Sequence, residues 1–345
     1  MAVVLYNIFL FFFRFGIRLA ALFNPKAKKW VEGRRDIFSR LRQAIPQVQK
    51  IIWIHCASLG EFEQGRPVME ALKKEYPGHR ILLTFFSPSG YEVQKNFSGA
   101  DWVFYLPMDG PANARIFLEI VQPVLVVFVK YEFWYYYLKK IKYRQIPLLL
   151  ISALFRKDMS FFKWYGGLQR KILSRFDHLF VQNQSSLDLI RSIGLGPISS
   201  ISGDTRFDRV STIAAGWQPI SKIENFTKDN RIIVAGSSWP EDEELLKTAL
   251  LQLQDTDLKL LIAPHEISEK HLSYLDGLFP DAVRYSAFKT SQSSSRCLII
   301  DNVGMLSKLY RYGWVCYIGG GLRKSGIHNV LEAAVYARPV FFGPI

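Results

Sequence analysis

Ser58-Leu59-Gly60-Glu61 sets a hydroxyl and a carboxylate three residues apart, directly after the apolar run 51–54. That run reads as a buried parallel strand. The small-residue turn after it reads as the strand's carboxyl edge, where open α/β sheets bind ligands. A lone carboxylate at such an edge can act as a general base, taking a proton from a hydroxyl nucleophile as the new bond forms. The same S-x-x-E spacing also describes a helix capping box. Pro67 suits the first turn of a helix, which would start the helix after Glu61 and leave the carboxylate in the loop.

A second constellation, YIGGGLRKSGIHNVLE, occupies 317–332. Here a strand ends in Gly319-Gly320-Gly321, the basic pair Arg323-Lys324 follows, and a helix opens near His328. Glycines let the backbone approach a phosphate, and a helix N-terminus offers amide donors and a positive dipole end. Asn329 and Glu332, with Val330 and Leu331 between them, fall on one helical face, where Glu332 can accept from ribose hydroxyls. A glycine-rich turn with ordinary caps is the plainer reading. Three more loops reach the same edge: Gly236 to Pro240 with Ser237 and Ser238, Ala263-Pro264-His265, and Asp301 to Met305 with Gly304, ahead of Leu306. Ser237 and Ser238 also fit helix caps ahead of Pro240. His265 has no partner histidine at a metal-ligand spacing. A D-x-D motif could hold a divalent ion with a nucleotide diphosphate; Asp255-Thr256-Asp257 precedes a strand, which puts it at the amino edge, and no metal is expected.

The elements that must carry these loops alternate. Strands are predicted at 51–56, 80–86, 102–106, 124–129, 147–152, 178–182 and 199–202, with helices such as 67–75, 111–121, 132–142, 161–174 and 184–193 between them. Such alternation means a parallel sheet covered on both faces. Residues 205–229 are mostly polar and read as a linker. The rhythm resumes with strands at 231–235, 258–263, 297–300, 314–318 and 339–342, and helices at 240–253, 267–278, 303–311 and 328–336. The expected fold is α/β, of GT-B architecture: two doubly wound domains, 25–204 and 230–345, facing a cleft. A chain of 345 residues fits two cores better than one. It stops just after the last strand, so the second domain reads as incomplete at its C-terminus.

Residues 1–24 differ from the rest. Positions 2–23 are apolar apart from Asn7, Arg14 and Arg18, and Lys26, Lys28, Lys29, Arg34 and Arg35 follow. Positive charge after an apolar stretch marks the cytoplasmic side of a membrane and attracts anionic lipid. An uncleaved membrane anchor is favoured over a signal peptide, whose charges precede its apolar part; a buried core helix is the structural alternative. The net charge of +14 favours an anionic partner. Three dispersed cysteines, 56, 297 and 316, fit a reduced compartment without disulfides. No stacking-aromatic nucleic-acid motif is evident, and no nucleic-acid partner is expected.

With both halves in view, the chain resembles the 3-deoxy-D-manno-octulosonic acid (Kdo) transferases. The resemblance rests on ASLGE at 57–61, SPSGYE at 87–92, YEFW at 131–134, GDTRFD at 203–208, AGSSWPEDEE at 235–244, APH at 263–265, GGGLRKSGIHNVLEAA at 319–334 and the closing PVFFGP. It implies a CMP-Kdo donor, a lipid A precursor (lipid IVA) as acceptor, inversion at the anomeric centre without a metal or other cofactor, and work at the cytoplasmic face of the inner membrane. Position by position, Glu61 matches the family's general base, and Glu132 and Arg206 match residues that stabilise the transition state. Pro264 and His265, Gly304 to Leu306, and Asn329 to Glu332 match CMP-binding segments. Some positions depart: Arg206 stands where lysine is usual, His265 where arginine is common, and Met305 where the family carries an acid. Two other readings stay open. One is a different GT-B glycosyltransferase or nucleotide-sugar epimerase; the other is a non-catalytic protein that binds anionic lipid by charge.

Overall fold

The computed structural model describes residues 2–253, 257–324 and 326–345. The chain divides into two compact units, one ending at Arg206 and the next beginning at Phe207.

The first unit holds seven parallel strands, β1 (Ile51–Cys56), β2 (Arg80–Phe85), β3 (Trp102–Tyr105), β4 (Pro123–Val129), β5 (Leu148–Ala153), β6 (His178–Val181) and β7 (Ser199–Ile201), in the order β3-β2-β1-β4-β5-β6-β7. Strand direction is uniform, so each crossover needs a covering helix, and both faces become core. Alternation along β1 divides its side chains accordingly: Ile51 and Trp53 enter one apolar cluster, Ile52, Ile54 and Cys56 the other. The order reverses between β1 and β4. Such a switch point opens a crevice at the carboxyl ends of its two strands.

The second unit carries β8 (Arg231–Ser238), β9 (Leu258–Pro264), β10 (Ala282–Arg284), β11 (Cys297–Ile299), β12 (Val315–Ile318) and β13 (Val340–Phe342), in the order β10-β11-β9-β8-β12-β13. Its switch point lies between β8 and β12. The three-residue β10 has no counterpart in the sequence reading, because one valine between alanine and arginine carries no strand signal.

Several boundaries move. The helix after β1 runs Leu59–Glu75 and contains Pro67 in its interior, so Glu61 lies in its first turn and not in a free loop. The extended backbone of Ser58 starts that helix, and the sheet-facing packing of Phe62 and Met69 holds it across the proline. The helix expected from 132 begins at Tyr135, leaving 131–134 as a loop. The helix expected over 328–336 contracts to Leu331–Ala334, and that over 303–311 to Leu306–Leu309 plus a short 3-10 turn. The stretch read as a linker is two helices, Thr205–Ala215 and Ser221–Thr227; Ile223 and Phe226 of the second are fully buried in the second unit's core.

The N-terminal helix Ala2–Ala20 is long and apolar enough to cross a membrane. Its positions 3, 6, 10, 13 and 17 pack on the first unit at helical spacing, with Leu10, Trp30 and Met108 forming a small core. Tyr6 donates to Asp109 (2.7 Å), Arg14 donates to the Asp109 carbonyl (2.7 Å), and the Tyr136 hydroxyl donates to Asn7 (2.7 Å). Leu5, Ile8, Phe11, Phe12, Phe15 and Leu19 stay exposed along the rest of the helix.

Candidate active site

At the first unit's switch point, β1 delivers Ser58 and Glu61, and β4 delivers Lys130, Tyr131 and Glu132. The Ser58 side chain accepts no backbone hydrogen bond, so the capping box is not formed. Its hydroxyl instead donates to Glu61 Oε2. Glu61 is only partly buried, and its first-turn position sets the carboxylate against the positive end of the helix dipole.

Glu132 is held by two donors. His55 Nε2 lies 3.1 Å from Oε2, and the Trp134 indole N–H points at the same oxygen. His55 is fully buried within β1. Its Nδ1 lies 2.8 Å from the Thr84 hydroxyl, which itself accepts from the Trp53 indole at 2.8 Å. Nδ1 also lies 3.2 Å from the Thr84 carbonyl oxygen, so the ring bridges β2 to the Glu132 carboxylate. The sequence reading passed over His55; its one signal is a titratable ring inside an otherwise apolar strand.

Cations complete this edge. Burial pulls the Lys130 ammonium below its usual range; the Glu61 charge opposes the fall, Arg206 adds to it, Asp204 opposes it and Arg156 adds to it. These five residues therefore share one electrostatic neighbourhood. Lys130 sits at φ +67°, a left-handed turn that swings the chain out of β4. Arg206 forms a forked pair with Asp204 (2.9 and 2.6 Å), and Asp204 Oδ1 also accepts from Gln64 at 3.3 Å. Burial alone would raise the Asp204 carboxyl, but the Arg206 bonds outweigh it and hold it below the usual range. Gln64 lies on the same helix as Glu61, one turn on, so Arg206 is registered to Glu61 through Gln64. Burial pushes the Cys56 thiol well up, with the Glu61 and Glu132 charges adding, which removes it as a nucleophile at neutral pH.

The second unit's switch point gathers its own loops. Asp242, fully buried, accepts from the Trp239 and Gly320 amides (3.0 Å each) and from the Tyr317 hydroxyl (2.7 Å), lacing the β8 and β12 loops together. Its place among Glu241, Glu243 and Glu244 just after Pro240 gives it the sequence setting of an ordinary first-turn acid. Ser237 sits at φ +52°, and Ser238 donates to Glu243 (2.8 Å). Gly320 sits at φ +92°, and a Cβ on Gly319 would fall 2.3 Å from the Ser237 carbonyl oxygen, so both positions require glycine. The amides of Gly319, Gly320, Arg323, Gly326 and His328 are spent on partners inside the unit. These five amides tie the loop to its own unit, while the Lys324 side chain is exposed.

His265, just after Pro264 at the end of β9, is sandwiched between Trp239 (4.4 Å) and His328 (4.5 Å), and the Arg323 guanidinium covers the outer face of Trp239 at 4.2 Å. Both faces of His265 are occupied, so a ligand would meet its edge. Burial lowers both histidines from their usual range. Gly304, at φ +97°, turns the chain into Met305 and Leu306, which pack partly on the core. Asn329 is not helical; its side chain accepts from the Leu331 amide (3.2 Å) and donates to Glu332 (3.1 Å). Burial raises the Glu332 carboxyl, against the Asn329 bond and the Arg209 charge. Val330 packs against the core beside it. Asp255 and Thr256 lie outside the described residues.

The comparisons fall on this geometry. Residues 32–209 match the family described as 3-deoxy-D-manno-octulosonic-acid transferase (kdotransferase). The chain is 29% identical over 310 residues to the 3-deoxy-D-manno-octulosonic acid transferase of Aquifex aeolicus, covering 88% of this chain and 78% of that one. It is 28% identical over 319 residues to the Rickettsia felis protein of the same name, covering 89% of this chain and 66% of the relative. Among solved structures, the UDP-GlcNAc 2-epimerase of Neisseria meningitidis bound to UDP-GlcNAc superposes with a TM-score of 0.55 at 15% identity, covering 85% of this chain and 81% of that one. That likeness shows a shared GT-B type of fold. The chain belongs to the Kdo transferase family, glycosyltransferases of lipopolysaccharide synthesis.

Proposed function

We propose that the protein transfers Kdo from CMP-Kdo to a lipid A precursor, lipid IVA, with inversion and without a metal. The observation that carries this reading is the pairing of Glu61 with Ser58 at the β1–β4 switch point, with Glu132, Lys130 and Arg206 around it. Glu61 takes the proton of an acceptor hydroxyl as that oxygen attacks the anomeric carbon of Kdo. The bond from that carbon to the CMP phosphate oxygen breaks, and CMP leaves with the electron pair. Attack opposite the departing bond inverts the centre. Growing negative charge needs fixed cations and donors. Arg206, Lys130 and the Arg323-Lys324 pair are cationic side chains at the two switch points, and Glu132 steadies the cationic character that develops on the sugar ring. Ser237, Pro264, His265, Gly304 to Leu306, Gly320 and Asn329 to Glu332 form the CMP site in this reading.

The acceptor is a membrane lipid, and the exposed apolar stripe of Ala2–Ala20 with the lysines and arginines after it suits an anionic lipid surface, placed here at the cytoplasmic face of the inner membrane. The test is incubation of the protein with CMP-Kdo and lipid IVA, followed by mass measurement of the lipid. A mass gain of whole Kdo units is expected with CMP-Kdo and none with UDP-sugars. A gain only with a UDP-sugar would replace this reading with another transferase.

A further inference from the structure

A pocket of about 750 Å³ opens where the N-terminal helix meets the helices Pro25–Glu32 and Ile37–Ala44, within the size range of small-ligand sites. Arg14, Arg18, Arg34 and Arg35 line it, against two acids, Glu32 and Asp36. Glu32 faces Lys28 at 3.9 Å, and Asp36 faces Arg35 at 3.8 Å. Among the described residues, Arg14, Arg18 and Arg34 pair with no carboxylate. Two of these three are held in place. Arg14 Nη2 donates to the Asp109 carbonyl, and Arg34 donates to the carbonyls of Leu106 (2.9 Å), Trp30 (3.1 Å) and Phe86 (2.7 Å). Arg34 also lies 3.8 Å over the Trp30 ring. Burial draws its guanidinium down to about 9, opposed by Tyr105, Tyr137 and Glu132, so it stays charged at neutral pH. A cation drawn out of water without an ion-paired partner costs free energy, which an anion beside it offsets.

The surroundings say which anion. Guanidinium forks match the oxygens of a phosphate. Arg14 and Arg18 stand on the flank of the N-terminal helix, between its docked face and its bare face. On one side Ile17, a docked position, lines the pocket. On the other, the exposed Phe11 and Phe15 precede Arg14 and Arg18 by three residues and so adjoin them on the helix surface. With that bare stripe in lipid, as proposed above, an anion in the pocket lies at the level where hydrocarbon gives way to headgroups. Basic pockets beside membrane helices on the cytoplasmic side take anionic headgroups. This pocket is apart from the catalytic edge. Pro107 and Met108, on the loop after β3, close it, and β2 separates β3 from β1, a distance of about 10 Å across the sheet.

We infer that this pocket seats the phosphate of one anionic glycerophospholipid of the bilayer, bound by Arg14, Arg18 and Arg35 beside the Arg34 charge and not consumed in the reaction. The inference rests on the membrane placement proposed above and turns a diffuse attraction into a site for one lipid per protein. The test uses the full chain in a neutral detergent, with phosphatidylglycerol or phosphatidylcholine of the same acyl chains, read by native mass spectrometry. One phosphatidylglycerol should be retained per protein, and phosphatidylcholine should not. Arg18→Gln with Arg35→Gln removes two pocket charges and leaves the Arg14 and Arg34 bonds in place; retention should weaken at least about tenfold. Lys26→Gln with Lys29→Gln removes the same charge from exposed positions outside the pocket and should leave retention unchanged. Equal losses in the two double variants would reduce the pocket to diffuse attraction and overturn the inference. Displacement of the lipid by inorganic phosphate would assign the pocket to a soluble anion, and retention of lipid IVA in place of phosphatidylglycerol would make it part of the acceptor site; either result overturns it. Vesicle binding lost on deleting residues 2–23, with phosphatidylglycerol retention indifferent to the arginine variant, would keep the membrane placement and overturn the pocket. Selective, arginine-dependent retention in a chain that does not bind vesicles would sustain the pocket and overturn the placement.

Discussion

Replacing Glu61 by glutamine separates catalysis from capping. The amide keeps the side chain's volume and an oxygen for the Ser58 hydroxyl, so the local packing of the Leu59–Glu75 helix should survive. What is lost is one negative charge in the helix's first turn, about 0.3–1 kcal/mol of stability. For a unit of this size that lowers the melting temperature by no more than about 2–4 °C. A general base is worth about 10²–10⁴ in turnover, or about 2.7–5.4 kcal/mol on the barrier. The two roles thus differ by several kcal/mol in where the cost appears. The assay is the initial rate of Kdo transfer read by lipid mass, beside a thermal melt and a CMP titration. The proposed CMP-contacting residues lie in the second unit, so CMP affinity should not move. Turnover within about threefold of the wild type, with the small melting loss alone, would show that Glu61 is a helix-terminus charge and not the base.

His55→Leu deletes one hydrogen bond to a carboxylate, worth about 1.5–3 kcal/mol; kcat should fall about 10- to 150-fold with KM for CMP-Kdo little changed, and an unchanged kcat would remove His55 as the positioning residue for Glu132. His265 and His328, stacked on one another and both held below the ordinary range, leave the unfolded chain to bind protons first as pH falls: stability of the second unit should be flat above about pH 7 and decline below about 6.5. Glu266, Arg323 and Asp242 act on the same rings, so the check is a melting profile from pH 5 to 8 in which His265→Gln with His328→Gln flattens the slope. Exhaustive chelation with EDTA should leave turnover unchanged, and restoration of a lost activity by a divalent ion would refute metal independence. Deleting residues 2–23 should release the protein from membranes while nucleotide binding persists; it should also lower the first unit's melting temperature, because Asp109 loses its Tyr6 and Arg14 partners.

Much of this was legible in the sequence because parallel strands advertise themselves. Runs such as 51–56 and 258–263, apolar on both faces, admit little else, and β9 is buried along its whole length. Glu61 was legible because a strand end followed by small residues and one acid is a local pattern. Helix limits were harder. Pro67 signals a first turn, yet tertiary packing carried the helix eight residues further back. Ile223 and Phe226 were hidden in a polar stretch whose apolar content is slight but spaced three apart. Asp242, His55 and the ring stack on His265 depend on contacts between loops distant in sequence, which no local spacing encodes.

The docking of the N-terminal helix has a mechanical meaning. A flexible leash would let a catalytic unit wander through a range of heights above a lipid surface. Tyr6 and Arg14 on Asp109, with Tyr136 on Asn7, instead bolt the helix at one angle to the domain that bears Glu61. Were the bare face of the helix to rest in lipid and Glu61 to serve as the proposed base, Glu61 would hold a single stand-off from the bilayer, like a stylus on a rigid arm. Selection among membrane glycolipids would then begin with how far each one's sugar protrudes.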